Sequence, residues 1–169
     1  MPRILRQRVR PRDIWKHEAQ DFTPWLVENL SWLAECLNID LELEAIEQKV
    51  SEFRADIVCR NTTDNSRIVI ENQLNRTDHA HLGQVLTYAA GLEAYTIVWI
   101  ATEFREAHRV TMCWHNEITD RRFSFFGLEL DTWMDDASRY LAQLNIVSEP
   151  DDWSRLSRPR PYQIHRQLY

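Results

Sequence analysis

Glycine is scarce in this chain: Gly83, Gly91 and Gly127 are the only three in 169 residues. No glycine-rich loop exists to wrap a phosphate in backbone N–H groups, which excludes the nucleotide-binding loops built that way. Cysteine is equally scarce. Cys36, Cys59 and Cys113 are odd in number and lack the paired spacing of zinc ligands, so they read as reduced core thiols. No apolar run approaches membrane-spanning length, and the opening Met-Pro-Arg-Ile-Leu-Arg lacks the continuous apolar stretch of a signal peptide. A cytoplasmic protein without a membrane partner is the simplest expectation. No Ser or Cys nucleophile stands out, nothing calls for a small organic cofactor, and there is no internal repeat or low-complexity segment.

Acidic residues are missing from both ends. All 26 lie between Asp13 and Asp152, where 11 Lys and Arg leave a net charge of −15. The other nine basic residues are all arginine: Arg3, Arg6, Arg8, Arg10 and Arg12 at the start, and Arg155, Arg158, Arg160 and Arg166 near the end. So acidic a body is a poor generic DNA binder, because phosphate contacts dominate that affinity. The arginine-rich ends can supply the attraction, dock on the acidic body, or remain solvated; composition leaves all three open.

What is present is enough for one globular domain. An apolar fraction of 44% with only six prolines supports a full core. Residues 1–20 read as an arginine-rich arm, residues 21–145 as the folded domain, and residues 146–169 as an irregular Arg- and Pro-rich tail. Thr23-Pro24 is a helix start with Thr as N-cap, and Phe22, Trp25, Leu26, Leu30, Leu33 and Leu37 follow at helical spacing. Asp40 to Glu47 alternates polar and apolar as a strand does. Helices are predicted over residues 80–92 and 106–117. Thr96-Ile-Val-Trp-Ile-Ala101 is a strand buried on both faces, and another strand covers 123–130. Residues 131–144 read as helical in part. This order predicts a three-layer α/β/α sandwich with a central mixed sheet.

The residues that carry chemistry lie on one predicted hairpin. Its arms are Arg54-Ala-Asp-Ile-Val-Cys-Arg60 and Arg67-Ile-Val-Ile-Glu-Asn-Gln-Leu74, joined by the turn-forming Asn61-Thr-Thr-Asp-Asn-Ser66. Symmetric folding about that loop places Asp56 opposite Glu71. Directly paired carboxylates repel, and a divalent cation between them would turn the repulsion into binding.

A helix, a hairpin bearing Ala55-Asp56-Ile57 and Glu71-Asn72-Gln73, then Gln84-Val-Leu-Thr-Tyr88 on a second helix resembles the PD-(D/E)xK nuclease superfamily, the last segment matching its RecB-like branch. More closely, the chain resembles a group of bacterial restriction-endonuclease-like proteins. Asp21-Phe-Thr-Pro-Trp-Leu26, the segment from Ile70 to Gln84, Thr87-Tyr-Ala-Ala-Gly91, Val98-Trp-Ile-Ala101, Glu106-Ala-His-Arg109 and Trp114-His-Asn-Glu117 carry that likeness over roughly residues 14–153.

The resemblance implies a restriction-endonuclease-like fold and a Mg²⁺-dependent DNA nuclease, Mn²⁺ being able to substitute, with a role in defence against foreign DNA or in DNA processing. It implies DNA as partner and makes a homodimer plausible, since cutting both strands suits two-fold symmetry. Asp56 and Glu71 would be the metal ligands, joined by the backbone carbonyl of Asn72. Gln73 stands where the family pattern has Lys; an amide can hold a water but brings no charge to the transition state. Gln84 and Tyr88, four apart on one helix face, would lie near the phosphate. The first helix often lends one more acid, for which Glu28 is the first candidate and Glu18 a close rival. His79 and His81 flank the entrance to the second helix; contact with phosphate or water and a capping role are both open, and two His without Cys are a weak zinc signal.

Overall fold

The computed structural model describes residues 6–151, 153 and 162–164. Its centre is an eight-stranded mixed sheet. The strands are β1 (Arg6–Arg8), β2 (Leu41–Val50), β3 (Phe53–Asn61), β4 (Arg67–Asn72), β5 (Ala94–Ala101), β6 (Ser124–Asp135), β7 (Tyr140–Ser148) and β8 (Tyr162–Ile164). They run in the order β2-β3-β4-β5-β6-β7-β8, with β1 pairing antiparallel to the far half of β6. The pairs β4–β5 and β5–β6 are parallel and the others antiparallel. Among the described residues five α-helices flank it: α1 (Pro11–Ile14), α2 (Thr23–Glu28), α3 (Leu30–Leu37), α4 (His79–Gly91) and α5 (Glu106–Ile118). This is the α/β/α sandwich with a mixed sheet that the order of elements predicts.

Strand alternation divides the core. On one face, Ile57, Cys59, Ile68 and Ile70 pack with Leu26, Leu33 and Leu37 of α2 and α3. On the other, Val58 and Val69 meet Tyr88 of α4, while Ile97 and Trp99 meet Val85 and Met112 of α4 and α5. Covered on both faces, β5 is almost wholly apolar, as parallel strands tend to be. Gly91 is needed where α4 comes closest to β2, since a Cβ there would sit 2.6 Å from Val50 Cγ1.

Several local expectations are corrected. Thr23 is not an N-cap: a turn of π-helix over Glu18–Phe22 runs directly into α2, and Thr23 already has helical dihedrals. The predicted first helix breaks in two at Asn29, whose side chain donates to the carbonyl of Trp25 at 2.7 Å and so competes with the backbone ladder. Residues 131–144 are not helical. They form the hairpin between β6 and β7, whose turn is held by the Asp135 carboxylate accepting from the N–H groups of Ala137 and Arg139. Its alternating burial, with Ala142 and Leu144 inside, is the period-2 signal that a helical reading overlooks.

The N-terminal arm is anchored: β1 joins the sheet, Trp15 enters the core, and Arg8, Arg10 and Arg12 pair with Asp131, Asp13 and Glu18. In the C-terminal segment β8 pairs with β7, while Arg155, Arg158, Arg160 and Arg166 lie outside the described residues.

Candidate active site

The loop between β3 and β4 folds as its composition dictates. Asn61 Oδ1 accepts from the N–H of Thr63, Asp64 Oδ1 accepts from that of Ser66, and Asn65 takes the left-handed conformation at φ 64°. The ladder it sets pairs Ile57 with Ile70 and Val58 with Val69. One step further along this register, Asp56 stands opposite Glu71. Their backbones and side chains interlock: the Asp56 N–H points at Glu71 Oε2 at 3.5 Å, and the Asn72 N–H donates to Asp56 Oδ2 at 2.9 Å.

Glu71 is 4% exposed, with no cation bound to its carboxylate in an ion pair among the described residues. Burial, then the neighbouring charge of Asp56, push its pKa well above the ordinary carboxylate range. Asp56 is raised too, again chiefly by burial, with the Asn72 N–H opposing. A proton therefore stays on the pair at pH values where free carboxyls have lost theirs.

A third carboxylate, unrecognised in the sequence, adds to this field. β2 pairs Ile46 with Ile57 and Gln48 with Ala55, which sets Glu47 across from Asp56 on its other side. Three adjacent strands thus carry Glu47, Asp56 and Glu71 in one row, and the charge of Glu47 bears on both of the others. Glu47 has a positive φ of 53° and follows a register shift between Leu43 and Ala45. That shift hides it from a reading of plain alternation.

Of the two helical acids, Glu18 lies near the pair and Glu28 does not. Glu18 Oε2 accepts from the N–H of Leu74, just beyond β4, and its charge also bears on Asp56 and Glu71. Glu28 is exposed at the end of α2. The side chain of Asn72 turns to the opposite face, where it exchanges hydrogen bonds with the Thr23 hydroxyl. Only its backbone is available to the carboxylates.

Gln73 is fully buried and spoken for. Its Oε1 accepts from Trp99 Nε1 at 2.8 Å, and its Nε2 donates to the Arg76 carbonyl at 2.9 Å and to Asp78 Oδ2 at 3.4 Å. The amide ties the loop after β4 to β5 and to the cap of α4. This is a structural engagement that its position in the motif does not suggest.

α4 overlies the carboxylate row. Asp78 caps it, accepting from the N–H of His81 at 2.8 Å and from His81 Nδ1 at 2.9 Å. His81, Gln84 and Tyr88 fall at i, i+3 and i+7, one stripe of the helix. When its ring carries a second proton, His81 acts against the raising of Asp56. Tyr88 is 2% exposed, and its phenol is pushed up to about 12 by burial and by the charges of Glu71 and Asp56. Gln84 is half-buried between them. His79 leaves the group: its Nδ1 meets His108 Nε2 at 2.9 Å, and His108 in turn bonds Thr77. Burial, then His79, hold His108 below the usual histidine value.

Among the described residues no group of three or more His, Cys, Asp or Glu side chains is gathered to hold a metal by itself. Two close carboxylates still suit Mg²⁺, a hard ion that binds one or two carboxylates and keeps several waters. They do not suit a closed four-ligand zinc site. Their mutual repulsion, with Glu71 buried, is the feature that an oxygen-seeking cation would relieve.

No family model matches the chain, and no curated protein matches it. Among solved structures, the crystal structure of a repair endonuclease from Pyrococcus abyssi aligns at 17% identity with a TM-score of 0.48, covering 57% of this chain. The alignment spans 42% of that chain. No helix among the described residues is long and apolar enough to cross a membrane.

Proposed function

We propose that this protein is a Mg²⁺-dependent nuclease that hydrolyses phosphodiester bonds of DNA, in defence against foreign DNA or in DNA processing. The observation that carries the reading is the pair of half-buried Asp56 and buried Glu71, two carboxylates interlocked across adjacent strands at the positions of the superfamily's acidic motif. Asp56 and Glu71 would hold the ion, with the Asn72 carbonyl beside them by family resemblance. When bound, Mg²⁺ polarises a phosphoryl oxygen and lowers the pKa of an attacking water.

The chain's own residues then have distinct tasks. The Asn72 N–H fixes one oxygen of Asp56, which leaves the other to turn outward. Asp78 holds the His81 ring through Nδ1, so Nε2 is the atom that meets a phosphate oxygen or a water. Tyr88 keeps its phenolic proton at any ordinary pH and can share it in a hydrogen bond with an anionic oxygen. Gln73 fixes the loop that carries this set and supplies no charge. Cleavage of labelled DNA in Mg²⁺ or Mn²⁺ tests the reading. Asp56→Ala and Glu71→Ala should each lower the rate at least about 10²-fold. Equal rates in the wild type and both variants would contradict it.

A second reading, a catalytically silent nucleic-acid-binding or protein-interaction module on the same fold, is favoured by one observation. The residue at the family's Lys position is an uncharged amide whose polar atoms are already bonded inside the protein. DNA retention without cleavage in either metal, unchanged by the two carboxylate variants, would establish it.

A further inference from the structure

Next to the carboxylate pair, on the carboxyl-end side of β4 and β5, lies a second feature that the nuclease motif does not account for. An open groove of about 700 Å³ runs between the anchored N-terminal arm and the loop after β4. Arg8, Arg10, Arg12 and Arg76 line it, together with Leu74 and Asn75. It holds four arginines against two acids, Asp13 and Asp131, in a protein whose residues 13–152 carry −15. Leu74 and Asn75 directly follow the Glu71-Asn72-Gln73 motif. At that corner Glu18 receives the Leu74 N–H, and Arg12 lies 3.9 Å from Glu18 and reaches the Asn75 side chain. The groove and the carboxylates therefore share one edge of the sheet.

The arginines are held but not used up. Arg8 pairs with Asp131, Arg10 with Asp13, Arg12 with Glu18 and Arg76 with Glu103. The side chains of Arg8 and Arg10 remain 74% and 85% exposed. Exposed pairs of this kind contribute only about 0–1 kcal/mol, so a guanidinium can turn to a phosphate at little cost. Arg8 and Arg10 stand two residues apart on extended backbone, a rise of about 7 Å, which two steps of a stacked polynucleotide strand also span.

We infer that this groove binds the sugar-phosphate backbone of a nucleic-acid strand through Arg8, Arg10, Arg12 and Arg76 and leads it to the carboxylate edge. The inference deepens the nuclease reading and rests on it for the strand's destination. Binding itself is separable from cleavage.

The test is fluorescence anisotropy of the full chain with a labelled single-stranded DNA of about 20 nucleotides in EDTA, over a range of salt. Arg10→Ala/Arg12→Ala should weaken binding at least about tenfold at low salt and lower the salt slope by about one per arginine removed. Thermal melts report whether that variant folds. Asp13→Ala works in the opposite direction: it frees Arg10 and should tighten binding several-fold, an effect that misfolding cannot produce. Arg122→Ala, which removes an exposed arginine outside the groove, should bind as the wild type does.

Unchanged affinity and salt slope in both the arginine and the Asp13 variants would overturn the groove, even if the protein cleaves DNA. Arginine-dependent binding without cleavage would leave the groove standing and remove the nuclease reading. Binding lost in Asp56→Ala but kept in Arg10→Ala/Arg12→Ala would move the nucleic-acid contact to the carboxylates and overturn the groove.

Discussion

Replacing Glu71 by Gln should make the metal-free protein more stable, and increasingly so as pH rises. The buried Glu71 carboxyl holds its proton more tightly in the folded state than in the unfolded chain, because burial and Asp56 both penalise its charge. The folded state therefore binds more protons than the unfolded state above the ordinary Glu pKa of about 4.3, and each further pH unit costs about 1.4 kcal/mol until the folded pKa is reached. The stabilising side of this linkage is the acid side, and stability is lost as pH climbs. At neutral pH the span of nearly three units amounts to roughly 4 kcal/mol as an upper figure. A Coulomb estimate for two charges about 5 Å apart at an effective dielectric near 20 gives a similar size.

Gln mimics the protonated acid in shape and never ionises. Glu71→Gln should therefore match the wild type near pH 4.5 and exceed it by about 2–3 kcal/mol near pH 7.5, a Tm rise of roughly 5–10 °C for a chain of this size. Urea unfolding in EDTA at several pH values measures this directly. A difference that is flat with pH, or a variant destabilised at neutral pH, would refute the claim that Glu71 is a buried carboxyl pressed against Asp56. Saturating Mg²⁺ should reverse the order, since a ligand that binds only the intact pair stabilises only the wild type.

Other predictions follow from the same contacts. Mg²⁺ binding should expel the proton held by the pair, so its affinity should rise with pH above the usual carboxylate range, and calorimetry in buffers of different ionisation enthalpy should register the release. Gln73→Lys should destabilise the fold by about 1–3 kcal/mol in a thermal melt, because the buried Trp99 N–H loses its acceptor. Gly91→Ala should cost about 1–3 kcal/mol by forcing α4 away from Val50. Unchanged melting in either variant would contradict the packing described.

The hairpin was legible because its loop is built from residues that bond their own backbone, and the symmetric register it implies is the one that sets Asp56 against Glu71. The apolar run of β5 likewise announces a strand covered on both sides. Glu47 was not legible. Its place beside Asp56 depends on an irregularity in β2 that alternation alone does not reveal. Gln73 could be assigned to a motif position, but its bonds to Trp99, Arg76 and Asp78 come from three separate points of the chain, and periodicity carries no such information. The fate of Thr23 is similar. Its sequence is a good N-cap, yet its hydroxyl serves Asn72, a residue 49 positions away. Glu18 and Glu28 were separated only by the π-helical turn, which brings Glu18 to the end of β4.

Asp56 and Glu71 are proposed to form a cation site. Crystals grown or soaked with Mn²⁺ and measured for its anomalous signal test it most directly. A peak is expected between the two carboxylates in the wild type and should disappear in Asp56→Ala. A wild-type map with no peak there, from crystals that bind Mn²⁺ at another site, would contradict it.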